Sequence, residues 1–587
     1  MKKRAKPVNR SMRAPEAKAV GRWRGQLVLV CFALIAAVAV GRAFHLQVIE
    51  RDFLRSEGDK RQVRNLTIPG HRGAILDRNG EPLALSAPVS SLWVVPDEVL
   101  IDPESVKRLA LGLGRAPSEM QQFLEARRGR KFVYVREQIS PQEARRLLDL
   151  RVPGVFSESD FARYYPAGEV AAQVVGFAGR DGHGQEGMEK AQDARLSGTS
   201  GSRRVIRDRT GRVIEDGLEY TPAIAGEPLR LSIDLRVQYL AYRELAAAVS
   251  KTGAKGGLVV IADARNGEIL AMAAQPGFNP NNGDSRGFSA GIRNRAVVDG
   301  FEPGSTIKPL LVAQALELGL YNTQSIIDVT GGTLQVGRLT VRDIARRGEI
   351  DLATLLAVSS NVGSTKMALA MGAENVWAGY QRFGLGEPVF SGFPGEALPV
   401  LRHFTDWGQI ATATASYGYG ISVNALHMVR AYAALANDGL MPQLSLFSDG
   451  IRTPPQRAVS ASTARMVREM LEQVVSETGT ARRARVAGYR VAGKSGTARK
   501  IAATGGYSPD KHQAIFIGMV PVDRPRLVGI VMIDEPKGEY YGGQVAAPVF
   551  ADVMQGAARL LQIAPDAQPA EPLGIESASV QGIGRTR

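Results

Sequence analysis

The clearest pattern of apolar and polar residues is a run of 17 residues without a charge near the N-terminus. It covers residues 25–41, with the sequence GQLVLVCFALIAAVAVG. A helix of this length spans about 25 Å, which crosses a hydrocarbon core if the helix continues to Ile49. Trp23 stands where an interfacial aromatic residue belongs. The run predicts an uncleaved transmembrane anchor rather than a signal peptide, because Ala37-Val38-Ala39, which resembles a cleavage site, lies inside the run.

Helical and strand patterns follow one another through the rest of the chain. Apolar residues recur at helical spacing within 103–151 and 235–250. Two strand-like runs, 257–263 and 268–273, flank the turn signal Arg265-Asn266-Gly267 and predict a hairpin. Further helices are predicted at 305–320, 351–372 and 423–437, and further strands at 229–233, 487–493, 513–520 and 526–533. Because strands stand at both ends of a segment whose middle is helical, we predict an α+β fold with an antiparallel sheet.

The same patterns divide the chain into five predicted segments. They are a basic tail at 1–24, a transmembrane anchor at 25–49, an N-terminal module at 50–225, a second domain at 226–563 and a disordered tail at 564–587. The last segment is rich in Pro, Ala and Gly, a composition that buries too little apolar surface to fold. No residue of the module at 50–225 forms a catalytic constellation, so we interpret it as structural or as a docking module.

Composition and charge are those of a globular protein with an anchor. The chain has 587 residues, of which 44% are hydrophobic and 22% charged, and its net charge is +15. Nine Lys and Arg stand against one Glu in residues 1–24, which places the N-terminus in the cytoplasm and the body outside. We expect no nucleic-acid partner, since no basic stripe or reader motif is present. The only cysteine is Cys31, and the six histidines form no HExxH motif, so we expect neither a metal nor another cofactor.

Ser305 and Lys308 are the first candidates for chemistry. They belong to FEPGSTIKP at 301–309, where a Pro-Gly turn precedes Ser305 and a helical apolar pattern follows. Ser305 is therefore suited to an N-cap or to the first helical turn. Positions i and i+3 share a helix face, so Ser305 Oγ and Lys308 Nζ can meet. A serine with an amine in reach is a nucleophile beside its base.

Two further polar motifs follow in order. Ser359-Ser360-Asn361 stands in a helical segment, 54 residues after Ser305. Lys494-Ser495-Gly496-Thr497 follows a predicted strand, 189 residues after Ser305. An S-x-x-K motif alone is a weak signal, because Ser508-Pro509-Asp510-Lys511 in a Gly/Pro loop matches it too. The order of the three motifs is what distinguishes Ser305.

Four other matches to known motifs have simpler explanations. Lys251-Thr252-Gly253 is interpreted as a helix C-cap, and Ser422-Val423-Asn424 as a chance S-x-N match. Residues 287–291 fit G-x-S-x-G, but the loop-like sequence before them lacks the strand that a nucleophile elbow requires. Residues 488–495 fit the P-loop pattern in full, but SGTARKIAATGG after them has no helical apolar stripe.

In this order the three motifs resemble those of penicillin-binding proteins and serine β-lactamases. Over roughly residues 25–560 the chain resembles class B penicillin-binding proteins, and among them the division-specific septal D,D-transpeptidases. The stretches that carry this resemblance are 72–80, 163–169, 301–309, 359–363, 416–420, 540–543 and 547–550. Gln173 departs from the family pattern, which has a His at this point of the pedestal. Since that residue is not catalytic, the departure concerns only the pedestal.

The resemblance implies an architecture and a set of roles. Residues 226–563 would form the transpeptidase domain, an antiparallel sheet with helices on both sides, and residues 50–225 a pedestal or dimerisation-type domain. Ser305 would attack the penultimate D-Ala of a stem peptide, and Lys308 would take its proton. Ser359 would relay the proton, with Lys494 nearby, and Asn361 would position Lys308 and the substrate amide. The backbone N–H groups of Ser305 and Thr497 would form an oxyanion hole. The hydroxyls of Ser495 and Thr497 would bind the terminal carboxylate, and Gly496 would allow close approach of the substrate.

The resemblance also implies partners and a location. The partners are peptidoglycan stem peptides, β-lactam antibiotics, and division-complex proteins that include a glycan-polymerising membrane partner, since the sequence shows no glycosyltransferase segment. The location is the cell inner membrane, crossed once, with the catalytic domain periplasmic. An elongation-type class B transpeptidase shares the broad features, and a β-lactamase or D,D-carboxypeptidase shares the three motifs without needing the anchor and pedestal. A non-catalytic penicillin sensor would need a cytoplasmic effector, which residues 1–24 are too short to form.

Overall fold

A computed structural model describes residues 22–54, 63–207, 213–282, 289–449, 453–502 and 505–567. The chain divides into two compact units. One comprises Met1–Ile68 and Ser200–Ala223, and the other comprises Pro69–Thr199 and Ile224–Arg587. Most of the predicted N-terminal module therefore shares a unit with the predicted transpeptidase domain, and the division at 225 and 226 stays a prediction.

The first unit contains the predicted anchor. Helix α1 (Arg22–Phe44) continues as a π-helical turn at His45–Ile49. Trp23–Ile49 is long and apolar enough to cross a membrane, and within the described ranges no other helix is. None of this span is buried, and an uncovered apolar helix is stable only in apolar surroundings. The unit also holds an antiparallel sheet with the strand order β1 (Val63–Ile68), β8 (Gly201–Arg207), β9 (Val213–Thr221).

Residues 69–199 open the second unit with a mixed subdomain. Strand β3 (Pro82–Val94) lies between β4 (Val133–Ile139) and β5 (Val155–Tyr164), antiparallel to both. One face of this sheet packs on four helices and forms a separate apolar core around Leu92, Leu109 and Leu124. The helices that contribute to this core are α2 (Pro96–Val99), α3 (Pro103–Gly112), α4 (Pro117–Glu125) and α5 (Pro141–Leu148).

Buried ion pairs join the two pedestal motifs of this subdomain. The carboxylate of Glu189, which is fully buried, accepts hydrogen bonds from Arg72 Nε at 2.5 Å and Arg163 Nε at 2.7 Å. Arg72 also pairs with Asp193 at 2.6 Å. A charge is tolerated in a protein interior only with such partners. The two motif arginines therefore stabilise the fold of the pedestal.

Gln173 connects the pedestal to the main sheet. Its Nε2 donates to Pro276 O at 2.9 Å and to Gly291 O at 2.8 Å, and its Oε1 accepts from Ala274 N at 3.1 Å. The side chain is buried, and its amide satisfies three backbone groups at once. The side chain of Gln173 therefore has a structural role, because its donors and acceptor are all paired with backbone groups.

A five-stranded antiparallel sheet forms the centre of the rest of the unit, in the order β12, β11, β21, β20, β19. Its strands are β11 (Gly256–Asp263), β12 (Ile269–Gln275), β19 (Ala492–Ile501), β20 (Tyr507–Val520) and β21 (Leu527–Asp534). Every residue of β11 and β21 is buried, so both faces of the sheet are covered. The helices packed on it include α9 (Leu235–Thr252), α16 (Ala425–Ala436) and α18 (Gly542–Leu560). This architecture confirms the predicted α+β fold.

The remaining elements are shorter or lie around this sheet. Further helices are α6 (Ala172–Val175), α7 (Gly187–Ala191), α8 (Asp193–Leu196), α10 (Ser289–Ile292), α11 (Arg295–Val298), α12 (Lys308–Glu317), α13 (Leu352–Val358), α14 (Asn361–Arg382), α15 (Gln409–Ala415) and α17 (Ala461–Glu472). Further strands are β2 (Ile75–Leu76), β6 (Phe177–Ala178), β7 (Gly184–Glu186), β10 (Leu229–Arg230), β13 (Ile326–Asp328), β14 (Thr333–Val336), β15 (Leu339–Arg342), β16 (Glu349–Asp351), β17 (Leu440–Met441) and β18 (Gln456–Arg457).

Three local predictions differ from the structure. The strand predicted at 487–493 begins only at Ala492 and includes the polar residues after it, because pairing with β20 rather than apolar pattern defines this edge strand. The helix predicted at 351–372 is interrupted at Ser359. In the tail predicted to be disordered, Asp566 accepts hydrogen bonds from three backbone N–H groups, those of Arg490, Val522 and Asp523. Residues 568–587 lie outside the described residues.

Candidate active site

Ser305 lies in a 3₁₀ turn, Gly304–Ile307, that runs directly into helix α12. Residues i and i+3 of a 3₁₀ helix are eclipsed, so Ser305 and Lys308 lie on the same side of the chain. Gly304 begins the turn with a φ of +55°, a conformation that favours glycine. The two residues predicted from sequence spacing therefore share one side of a helix that is tighter at Ser305 than the α-helix that was expected.

Lys308 is fully buried at the first position of α12. Its Nζ lies 2.7 Å from both Ser359 O and Asn361 Oδ1, and 3.2 Å from Ser359 Oγ. Burial lowers the pKa of Lys308 well below its usual range, and the charge of Lys494 lowers it further. A lowered pKa favours the neutral amine, whose lone pair can accept the proton of a hydroxyl.

Ser359 and Asn361 lie where two helices meet. Helix α13 ends at Val358, Ser359 has φ 59° and ψ 44°, and α14 begins at Asn361 with Ser360 as its N-cap. A left-handed conformation costs a residue other than glycine about 1–2 kcal/mol. The reversal places the carbonyl of Ser359 and the side-chain oxygen of Asn361 on the same amine, that of Lys308.

Asp343 holds this junction, although the sequence motifs did not include it. Its carboxylate accepts hydrogen bonds from Ser360 Oγ at 2.6 Å, Asn361 N at 2.5 Å and Val362 N at 2.9 Å. The free N–H groups of a helix N-terminus favour an anion at this position. Asp343 also acts on Lys308, whose pKa it raises against the larger effect of burial. No local pattern marks this residue, since it lies on the loop after β15.

Lys494, Ser495, Gly496 and Thr497 lie in β19, the edge strand of the main sheet. Lys494 is fully buried, and burial lowers its pKa to about 7. Its Nζ donates to Ser495 O at 2.9 Å, and Ser495 Oγ lies 2.9 Å from Thr480 Oγ1. One side of an edge strand has no partner strand, so it suits an extended peptide.

Gly496 lets β19 lie against the turn that contains Ser305. A Cβ atom at position 496 would lie 2.8 Å from Thr306 Cγ2 and 3.3 Å from Pro303 O. A side chain here would therefore displace the turn or the strand. The sequence interpretation assigned this glycine to the approach of a substrate backbone, whereas the structure shows that the protein's own turn requires it.

The structure brings the three predicted motifs to one place. Lys308 contacts Ser359 and Asn361 directly, and the charge of Lys494 acts on the pKa of Lys308. Ser305 itself is half-buried. Gly496 packs on the Ser305 turn from the strand side. The arrangement can activate a serine hydroxyl beside a strand edge.

A rim of polar and aromatic residues stands next to the Ser305 turn. The carboxylate of Glu302 accepts hydrogen bonds from Gly420 N at 2.7 Å and from Tyr507 Oη at 3.0 Å. The rings of Tyr419 and Tyr507 lie 5.0 Å apart, edge to face. Burial raises the pKa of Glu302. The loop at 416–420, which contributed to the family resemblance, is thus tied to the turn.

Two rival motifs have structural explanations. Gly253 ends α9 in the left-handed conformation, which makes the first K-T-G match a C-cap. Asn424 is the N-cap of α16, and with His427 it forms a reciprocal capping pair.

The other rivals lack the required context. Ser508 and Lys511 lie in β20, where positions i and i+3 point to opposite faces. The P-loop match at 488–495 runs into β19 rather than into a helix. The G-x-S-x-G match at 287–291 lies partly outside the described residues.

Comparison with known proteins identifies the family. Residues 257–555 match the penicillin-binding protein transpeptidase domain, and residues 67–231 match the penicillin-binding protein dimerisation domain. The chain belongs to the penicillin-binding protein family. Because it carries both domains, it is a class B penicillin-binding protein, and its enzyme class is the serine-type D,D-transpeptidase. The family predicted from the sequence motifs is confirmed.

Relatives match this penicillin-binding protein over nearly its whole length. It is 38% identical over 551 residues to the peptidoglycan D,D-transpeptidase FtsI of Escherichia coli K12, with 93% of each chain covered. It is 41% identical over 546 residues to a probable peptidoglycan D,D-transpeptidase, PbpC, of Pseudomonas aeruginosa, covering 93% of this chain and 96% of that one. Penicillin-binding protein 3 of Mycobacterium tuberculosis, complexed with ampicillin, is similar in structure with a TM-score of 0.67 at 28% identity, covering 86% and 99% of the two chains.

Proposed function

We propose that this class B penicillin-binding protein is a septal transpeptidase that cross-links peptidoglycan through an acyl-enzyme on Ser305. The observation that carries the proposal is the environment of Lys308. Its amine is buried with a lowered pKa, and two carbonyl oxygens lie at hydrogen-bond distance from it. Such an amine offers its lone pair to a hydroxyl near neutral pH, as a general base must.

Acylation follows from this geometry. Ser305 Oγ attacks the carbonyl carbon of the penultimate D-Ala, and Lys308 takes the hydroxyl proton. The peptide bond to the terminal D-Ala breaks, and the leaving nitrogen receives a proton. Ser359 Oγ, 3.2 Å from Lys308 Nζ, passes that proton onward, and Lys494 supports the transfer from its buried position nearby.

The second half of the reaction forms the cross-link. The amine of a neighbouring stem peptide attacks the ester on Ser305, gives up a proton toward Lys308, and forms a new amide bond while Ser305 recovers its hydroxyl. A β-lactam acylates Ser305 by the opening of its ring amide. Because its leaving nitrogen stays attached to the ester, the site remains blocked, which makes the protein a β-lactam target.

Substrate binding uses the strand edge and the turn. The backbone N–H groups of Ser305 and Thr497 form the oxyanion hole, and one such donor typically lowers the barrier by about 2.7–4 kcal/mol. The hydroxyls of Ser495 and Thr497 bind the terminal carboxylate of the stem peptide. Asn361 positions both Lys308 and the substrate amide.

The proposed location is the cell inner membrane. Nine basic residues within 1–24 support a cytoplasmic N-terminus, and the helix Trp23–Ile49 supports a single crossing with a periplasmic catalytic domain. The division role rests on the motif flanks and on the similarity to FtsI. A division role would include association with division-complex proteins, among them a membrane partner that polymerises glycan.

Labelling with a fluorescent penicillin tests the nucleophile. The full-length protein in detergent is expected to be labelled, and Ser305→Ala to lose the label completely. Ser508→Ala is the matched control, because it belongs to the second S-x-x-K motif and is expected to keep full labelling. Label that persists in Ser305→Ala would contradict the assignment.

Depletion in the cell tests the division role. Loss of a septal enzyme blocks constriction while elongation continues, so the cells are expected to grow as filaments. Round cells after depletion would instead support the elongation-type alternative.

A further inference from the structure

The sheet of the N-terminal subdomain carries a row of aromatic rings on the face opposite its helices. Trp93 on β3 pairs across the strands with Tyr134 on β4 and with Phe156 on β5. Its neighbours Leu92 and Val94 belong to the apolar core, so the alternation of a strand directs Trp93 to the other face.

The rings of this face contact one another. Trp93 stacks on Phe156 with ring centroids 4.4 Å apart. Phe132, which precedes β4, lies 4.8 Å from Trp93 and 4.7 Å from Tyr134. Phe132 and Tyr134 are 44% and 41% exposed. Four aromatic rings therefore form one continuous surface outside the core.

A basic loop borders this row. Residues 127–131 read Arg-Arg-Gly-Arg-Lys and lead directly into Phe132. Arg128, Arg130 and Lys131 are exposed, and within the described part of the chain none of them has a carboxylate partner. The loop is held in place by Gly129, whose φ is +82° and whose N–H donates to the Asp97 carboxylate at 3.1 Å.

Hydrogen-bonding side chains border the row of rings. Tyr134 Oη donates to Glu158 Oε2 at 3.3 Å, and Arg136, Gln138 and Asp160 are exposed nearby on β4 and β5. A row of rings bordered by polar groups matches a sugar polymer, because the apolar faces of pyranose rings pack on aromatic rings while their hydroxyls need donors and acceptors.

We propose that this aromatic–basic surface, formed by Trp93, Phe132, Tyr134, Phe156, Arg130 and Lys131, binds the glycan strands of peptidoglycan. The inference rests on the proposed function, because it takes the ligand to be the polymer whose stem peptides react at Ser305. The rings pack on the sugars, and the unpaired cations attract the carboxylates that the stem peptides carry. Binding the polymer at a second surface of the same chain raises the effective concentration of stem peptides at the active site.

Sedimentation with purified, insoluble peptidoglycan tests this surface. Full-length protein in detergent is first acylated with penicillin, so that the Ser305 site is closed during the measurement. Phe132→Ser/Tyr134→Ser and Arg130→Ser/Lys131→Ser each replace two side chains of the surface. Each pair is expected to weaken retention about tenfold, and retention of the unaltered protein is expected to fall with added salt.

Matched controls separate this surface from general charge effects. Arg145→Ser/Arg146→Ser removes two exposed cations from α5 of the same subdomain and is expected to leave retention unchanged. Neutral oligomers of N-acetylglucosamine probe the aromatic row alone. Their binding is expected to be lost in the Phe132/Tyr134 pair and kept in the Arg130/Lys131 pair.

Several results would overturn the inference. They are equal retention of all variants, equal loss in the Arg145/Arg146 control, and oligomer binding that does not depend on the aromatic pair. Penicillin labelling of each variant reports its folding independently. Failure of the unaltered protein to be labelled would contradict the proposed function instead, so the two failures are distinguishable.

Discussion

Lys308 Nζ lies 2.7 Å from the carbonyl oxygen of Ser359, whose own backbone is in the left-handed conformation. Asn361 Oδ1 lies at the same distance from the same nitrogen. One strained residue thus places its carbonyl, and the side chain two positions later, on the buried amine. The backbone strain at Ser359 therefore lies within the candidate active site and positions the groups that contact Lys308.

The first prediction distinguishes the effect of the Ser359 backbone conformation from the effect of its hydroxyl group. Ser359→Gly and Ser359→Ala both remove Oγ and keep the carbonyl contact with Lys308, so both are expected to slow acylation to the same degree. Glycine relieves the left-handed conformation, and Ser359→Gly is expected to be more stable than Ser359→Ala by about 1 kcal/mol. Penicillin acylation kinetics and thermal unfolding measure the two effects. Equal unfolding temperatures would show that the conformation carries no strain.

Asp343→Ala is expected to disturb the S-x-N junction without touching the nucleophile. It removes the acceptor of three hydrogen bonds at the N-terminus of α14, which costs about 1–2 kcal/mol of stability. We expect acylation to slow roughly tenfold, which corresponds to about 1.4 kcal/mol of barrier. Asp406→Ala, at an exposed position, is the control and should change neither quantity.

Lys494 makes stability depend on pH. Burial lowers its pKa to about 7 in the folded protein, whereas lysine in an unfolded chain has a pKa of about 10.4. Between these values the unfolded state binds a proton that the folded state does not, so this residue makes stability rise with pH across that window. Below pH 7 both states are protonated, and its contribution is constant.

Lys494→Met removes this dependence, because methionine does not titrate. The unfolding temperature of the variant relative to the unaltered protein is expected to be highest below about pH 7 and to fall as the pH approaches 10. A difference in unfolding temperature that stays constant with pH would mean that Lys494 keeps an ordinary pKa.

Gly496→Ala tests the packing of β19 on the Ser305 turn. The added methyl group meets Thr306 Cγ2 at 2.8 Å, and overpacking of this kind costs about 1–3 kcal/mol. We expect a loss of acylation of roughly tenfold or more, because the turn carries Ser305. Combining it with Thr306→Ser, which deletes the Cγ2 atom, is expected to restore part of the rate. The absence of any recovery would point to substrate contact as the reason for the glycine.

Gln173→Met is expected to weaken the connection between the pedestal and the main sheet. Methionine fills similar space but leaves the backbone groups of Ala274, Pro276 and Gly291 without a side-chain partner. Each buried group left unsatisfied costs about 1–3 kcal/mol. The unfolding temperature should fall, while penicillin acylation at low temperature should be unchanged. Gln122→Met, at an exposed position, should alter neither measurement.

Much of the site was predictable because its chemistry depends on residue types at short spacings. Ser305 and Lys308 are three residues apart, so local helical geometry already relates them. Ser359 and Asn361 are two apart, and the break between α13 and α14 places both on Lys308. Asp343 was not predicted, because it is distant in sequence from the residues that it contacts. It contacts the site from a separate loop, and no short spacing connects it with Ser360 or Asn361.

By itself the sequence determined the apolar N-terminal helix, the α+β class, the three motifs and the family, because these depend on periodicity and on local spacing. The tertiary structure decided how the motifs act together. Only folding buries Lys308 and Lys494, and burial is the largest cause of the lowered pKa of each amine. The fit of Gly496 against Thr306 likewise arises between segments that are distant in sequence. An apolar pattern predicts which elements form, whereas desolvation and close packing depend on which elements finally meet.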